Sequence, residues 1–135
     1  MPPDVLLRKL TYLRQLLDDL QAFENASLDD VHAHHYTVER LFELLVMTTC
    51  DILFHELAEH GITPNSYRDA FKQANAHGLL PPDLSAKLEK AAGMRNIIVH
   101  LYQAIDYAIL HSSIRPALRD FRKVLVLFET RLHSE

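Results

Sequence analysis

One arginine, one histidine and one tyrosine interrupt a run that otherwise reads as core: Gly93-Met94-Arg95-Asn96-Ile97-Ile98-Val99-His100-Leu101-Tyr102-Gln103-Ala104-Ile105-Asp106. Stepping back from Tyr102 by alternating fours and threes gives Ile98, Arg95, Ala91, Leu88 and Leu84, the buried stripe of a packed helix. Arg95 and Tyr102 thus occupy places where leucine would serve a core. A guanidinium does not lose its charge, and burying it unpaired is costly. Arg95 must face a carboxylate, a wet cleft, or an anion that comes and goes. Histidine, with an ordinary pKa of about 6.5, can move protons near neutral pH. The stretch therefore carries the side chains of anion binding and of proton transfer.

His100 lies five positions past Arg95, which on an ideal helix leaves them about 140° apart. They can act on one group only if the helix ends or bends between them, or if a second subunit brings another copy across. The β-branched run Ile97-Ile98-Val99 is weak in helix propensity and predicts an ending just after it. A plainer reading of the same residues is an internal arginine–tyrosine pair with a histidine at a helix terminus.

The elements that must position these residues are helical. A first helix over about 5–24 follows Asp4 as cap, with Leu6, Leu10, Leu13, Leu17 and Leu20 as its stripe. After a break at Asn25-Ala26-Ser27 and a turn over 28–33, a second helix spans about 34–60 and is apolar over more than half its girth. Such a helix is central, or faces both a core and a partner chain. Gly61 closes it and Pro64 keeps it closed. Ser66 and Asp69 stand at capping-box spacing before a third helix that Gly78 ends. Pro81-Pro82-Asp83 starts the fourth helix, which carries the charged stretch. Asp106 caps a fifth segment over about 106–113, and Pro116 predicts a break near 112–116 before a last helix over 116–132. The fold class is all-α, one domain over residues 1–135, an antiparallel four-helix-bundle-like arrangement with extra short helices.

Composition bounds the function. The formal net charge of −4 excludes a generic polyanion binder. Residues 1–93 hold 8 basic against 14 acidic side chains, whereas residues 94–135 hold 6 against 4, so the half with the charged stretch is the more positive. Cys50 is the only cysteine and lies in the apolar second helix; a buried thiol and a reducing, cytoplasmic setting fit it. The longest apolar run, Val124 to Phe128, is far short of a membrane span.

Arg95-Asn96, two apolar residues, Val99-His100, one residue, Tyr102, two residues, Ile105-Asp106 resembles the signature of the HepT-like toxins, minimal ribonucleases of the HEPN superfamily. Their core pattern is arginine, four to six residues, then histidine, with a tyrosine two residues further on. Val38-Glu39-Arg40-Leu41, Asn65-Ser66-Tyr67-Arg68-Asp69-Ala70-Phe71 and Gly78-Leu79-Leu80-Pro81 are also similar to HepT-family sequence, so the likeness extends over about 5–130. The resemblance implies a HEPN fold and metal-independent cleavage of RNA, tRNA in the first place, at a cleft shared by a homodimer. Arg95 and His100 would be the catalytic pair, with Asn96 and Tyr102 supporting or binding substrate. It also implies a partner, an MntA-like nucleotidyltransferase antitoxin that AMPylates Tyr102. No cofactor is implied.

Two further signals weigh less. His32, His34 and His35 cluster without a fourth ligand, Asp51, His55 and Glu59 stand one helical turn apart in sequence, and no Glu-x-x-His pair occurs; no metal site is expected. Arg115, Arg119, Arg122 and Lys123 recur on one side of the last helix and read as a solvated face more readily than as a tRNA track. The alternative to an enzyme is a non-catalytic dimeric helical scaffold that docks a nucleotidyltransferase.

Overall fold

A computed structural model describes residues 1–134, and within them every regular element is helical. The order is α1 (Pro3–Gln21), α2 (Leu28–Ala33), α3 (His35–Ala58), α4 (Tyr67–Ala76), α5 (Pro82–His100), a 3-10 turn over Tyr102–Ala104, and α6 (Tyr107–Ser134). The four long helices form the bundle, and α2 and α4 are the short additions.

The greasy helix is central, as its girth required. α3 touches each of the other five helices. Leu45, Val46, Cys50, Ile52, Leu53 and Leu57 on it are sealed from solvent. The stripe of α1 is buried as read, and with Leu110, Ile114, Leu118, Phe121 and Phe128 of α6 it belongs to one contiguous core. Full burial of a leucine or phenylalanine contributes about 1.5–3 kcal/mol each, so this core, not helix propensity, sets the geometry of the surface above it.

Local rules explain the ends. Pro3 takes the first helical position of α1, so Pro2, not Asp4, holds the cap position; Asp4 lies in the first turn instead, where a carboxylate complements the helix dipole. The turn over 28–33 is itself a helix, because Ser27 Oγ accepts from Asp30 N at 3.1 Å and Asp30 Oδ2 accepts from Ser27 N at 3.4 Å. Before α4, Ser66 Oγ accepts from Asp69 N at 3.0 Å, but the Asp69 carboxylate accepts from Asn65 N, one residue earlier than a capping box requires.

The expected break near Pro116 does not occur. α6 is one helix with Pro116 inside it. An internal proline costs about 3 kcal/mol by removing a hydrogen bond and crowding the preceding turn. Here that turn is tied from outside. Ala26 O meets His111 Nε2 at 2.7 Å, Arg115 Nε donates to Glu24 O at 3.1 Å, and Arg115 Nη2 donates to Asn25 Oδ1 at 2.8 Å. Leu110, Ile114, Ala117, Leu118 and Phe121 are buried on both sides of the proline. Tertiary packing holds the helix through a residue that would end an isolated one.

Candidate functional site

α5 carries the charged stretch, and α4 sets its position. Ser85 Oγ donates to Phe71 O at 2.8 Å, and Lys72 Nζ lies 3.9 Å from the Glu89 carboxylate. Further along α5, Gly93 lies by Arg68 and Arg95 over Tyr67, so the number falls on α4 as it rises on α5 and the two helices run antiparallel. The start of α4 therefore lies against the later turns of α5. Leu84, Ser85, Leu88 and Ala92 are buried along the first part of α5.

α5 ends at His100, just after the β-branched run, as its propensity predicts. Leu101 N still donates to Ile97 O at 2.9 Å, the 3-10 turn follows, and Ala104 N donates to Leu101 O at 2.7 Å. Asp106 Oδ1 then accepts from Ala108 N at 2.9 Å and Ile109 N at 3.2 Å, capping α6 as read. The stretch is thus a corner: helix end, tight turn, helix start.

Because the helix stops at His100, Tyr102 leaves the buried stripe on which it was placed and is 64% exposed. The internal Arg95–Tyr102 pair does not form. The tyrosine against Arg95 is Tyr67, the first residue of α4, whose ring lies 4.7 Å beneath the guanidinium carbon, a cation–π contact. Arg95 is half-buried, and its Nε is sealed from solvent without a hydrogen-bond partner. Among the described residues no carboxylate lies within ion-pair distance of it. Of the three partners Arg95 could have had, the carboxylate is ruled out within these residues. Its charge is also felt by Cys50 on α3. Burial pushes that thiol far above its ordinary range, Arg95 partly opposes the rise, and Asp51 adds to it.

His100 and Asn96 are exposed and one turn apart on α5. His100, Leu101, Tyr102, Gln103 and Ala104 line an open depression of about 420 Å³. Exposed Ile97 and Leu101 on this corner, and Ile109 just beyond it, make an apolar rim. Since α5 is unbroken from Arg95 to His100, the two side chains leave the helix about 140° apart. One chain brings His100, Asn96 and Tyr102 to the same corner and keeps Arg95 on another side.

Sequence reasoning missed Tyr67 as the platform of Arg95. An aromatic at a helix start was visible, but a contact across 28 positions leaves no periodic signal. The histidine group over 32–35 is structural: the rings of His32 and His35 pack on Tyr107 at 4.8 and 5.1 Å, and His35 Nδ1 pairs with Glu39. On α6, Arg115 is tied to the α1–α2 loop and Arg119 pairs with Asp120 at 3.1 Å, whereas Arg122 and Lys123 are exposed and have no ion-pair partner among the described residues.

The all-helical bundle is the fold class that the resemblance to HEPN domains implies. The ribonuclease HepT-like family model matches residues 6–127, and the chain belongs to that family. It is 30% identical over 124 residues to the tRNA nuclease HepT of Aphanizomenon flos-aquae, covering 88% of this chain and 84% of that protein. It is 36% identical over 62 residues to the mRNA nuclease HepT of Shewanella oneidensis, covering 46% and 47%. A solved structure of the tri-AMPylated Shewanella oneidensis HEPN toxin in complex with MNT antitoxin superposes with a TM-score of 0.85 at 22% identity, covering 96% of this chain and 99% of that one. At that identity the superposition speaks for the fold. No helix among the described residues is long and apolar enough to cross a membrane.

Proposed function

We propose that this chain, working as one domain over residues 1–135, is the toxin of a toxin–antitoxin pair: a metal-independent endoribonuclease that cuts RNA, tRNA in particular, in the cytoplasm. The observation that carries the reading is the unpaired Arg95 guanidinium, held over Tyr67 with no carboxylate among the described residues to neutralise it. A fixed cation without a resident partner suits an anion that arrives and leaves. The names of the two HepT relatives support RNA as the source of that anion.

In the reaction, His100 takes the proton of a ribose 2′-hydroxyl, and the 2′-oxygen attacks the adjacent phosphorus. The bond from phosphorus to the 5′-oxygen breaks, and that oxygen receives a proton, leaving a cyclic phosphate and a free 5′-hydroxyl. Arg95 holds the phosphate and stabilises the charge that builds on the phosphorane, where a planar fork of donors suits two oxygens. Asn96, one turn before His100, orients the phosphate or the backbone, and Tyr102 binds beside it.

One base and no acid make a thin site, and the unbroken helix keeps Arg95 and His100 of one chain apart. A homodimer answers the first point by supplying a second histidine. A two-fold axis at the apolar rim of Ile97, Leu101 and Ile109 places one protomer's histidine across from its partner's, so that one acts as base while the other acts as acid.

Tyr102 is the site of control. Its exposed hydroxyl is open to an MntA-like nucleotidyltransferase. The phenolic oxygen attacks the α-phosphorus of ATP, pyrophosphate leaves, and an AMP phosphodiester remains. That negative charge occupies the place of an RNA phosphate and pairs with the cations of the cleft.

Expression in a bacterial host tests the reading. The chain alone arrests growth, His100→Ala removes the arrest, and co-expression with the nucleotidyltransferase restores growth while adding AMP to Tyr102. Equal growth of wild type and His100→Ala, with AMP still added to Tyr102, would instead support the non-catalytic scaffold that docks the transferase.

A further inference from the structure

Gly93 is the one glycine of the chain that needs no special backbone. Gly61 and Gly78 take φ of 75° and 77° at helix ends, whereas Gly93 lies inside α5. A glycine there costs about 0.5–1 kcal/mol relative to alanine. The structure gives the reason for its presence. A Cβ at position 93 would stand 2.6 Å from Arg68 Nη2 and 3.8 Å from its Cζ. The Arg68 guanidinium, coming from the second residue of α4, lies in the notch that the missing side chain leaves.

Arg68 is exposed, and among the described residues it has no ion-pair or hydrogen-bond partner. Its helix neighbour Lys72, one turn on, lies 3.9 Å from Glu89. The notch also has an address. Positions 93, 96 and 100 recur at three, four and seven residues and so share one face of α5. Arg68 therefore lies over the face that carries Asn96 and His100, about 10 Å along the axis from the histidine. Arg95 leaves the helix on another side. Tyr67 and Arg68, adjacent at the start of α4, thus serve both sides of α5: the ring supports one cation and the guanidinium supplies a second.

We infer that Arg68, admitted by Gly93, is a substrate-binding residue that holds a backbone phosphate of the RNA flanking the one being cut. This rests on the ribonuclease reading above and adds to it the residue that sets how the strand lies along α5. Gly93 is a positioning residue whose role is to leave the notch open. Arg68 reads no base, so its contribution is the same for every sequence and weakens with salt.

The test is binding of labelled total tRNA to the full-length chain in the His100→Ala background, which keeps the RNA intact, across a salt series. Thermal melts and cleavage by the same variants with His100 restored accompany it. Arg68→Ala is expected to weaken binding about three- to tenfold at low salt and to reduce the slope of log K against log salt by about 0.7–0.9, one phosphate's share. Gly93→Ala is expected to do the same while its melting temperature is unchanged or higher, because alanine favours the helix and the displaced group is the end of a flexible side chain. The double variant should be no weaker than either single one. Lys72→Ala, which also removes one charge from α4, should bind as the parent does. Parent-like binding by Arg68→Ala or by Gly93→Ala overturns the inference, and if the wild type still cleaves, the ribonuclease reading stands. An equal loss in Lys72→Ala overturns it too, since charge anywhere on α4 would then suffice. Failure of the parent to bind tRNA and of the wild type to cut it overturns the inference together with the ribonuclease reading.

Discussion

The two parts of α5 divide at Gly93. Before it, Leu84, Ser85, Leu88 and Ala92 are buried, and Ser85 is bonded to the backbone of α4. After it, only Ile98 is buried, while Asn96, Ile97 and His100 face solvent and Arg95 is half-covered by an aromatic ring from α4. The same helix thus packs with its first three turns and displays with its last two. A site built on the end of a helix whose start is locked into the core inherits the core's rigidity without being buried by it. Residues of the two parts should therefore fail in opposite ways when truncated.

The largest contrast is between His100 and Leu88. His100→Ala should lower RNA cleavage about 100- to 10,000-fold, the range of a lost general acid or base, and move stability by no more than about 0.5 kcal/mol, since the side chain is exposed. Leu88 is fully buried, and Leu88→Ala should cost about 2–5 kcal/mol of stability with cleavage per folded molecule unchanged. Denaturant melts beside initial rates read both. A stability loss in His100→Ala, or a rate loss in folded Leu88→Ala, breaks the division.

Tyr67 is partly buried against the core and also carries Arg95, so it should show both effects on a smaller scale. Tyr67→Phe keeps the ring under Arg95 and should cleave within about twofold of wild type. Tyr67→Ala removes the platform and should slow cleavage several-fold, in keeping with about 1–2 kcal/mol for a half-buried cation–π contact. Equal rates in the two variants would mean that Arg95 does not depend on its support.

The smallest effect sharpens the core side. Burial raises the Cys50 thiol far above its ordinary range, so the folded chain keeps a proton that the unfolded chain loses above about pH 8.5. The unfolded state then binds fewer protons, and stability should fall as pH rises beyond that point, by up to about 1.4 kcal/mol per pH unit, while below it the contribution is complete. Cys50→Ala should flatten this alkaline slope. An unchanged slope in that variant would place the thiol outside the sealed core.

Much of this was legible in the chain because it follows from periodicity and from single-residue chemistry. The stripe of α1, the central place of α3, the end of α5 after Ile97-Ile98-Val99 and the cap at Asp106 all rest on neighbours a few residues apart. What was not legible depends on distant contacts. Pro116 reads as a break until Glu24, Asn25 and Ala26 are brought against His111 and Arg115. Tyr102 reads as buried if the stripe is carried past the helix end by two residues. The partner of Arg95 lies on another helix, and so does the side chain that makes Gly93 intelligible.

The central claim is that Arg95 and His100 cut RNA without an ion. Incubation of the purified chain with total tRNA in excess chelator, beside Arg95→Ala and His100→Ala, tests it most directly. The account predicts fragments ending in a cyclic phosphate from the wild type and intact tRNA from both variants. Intact tRNA in all three, cleavage that appears only when a divalent cation is restored, or cleavage that persists without His100 would contradict it.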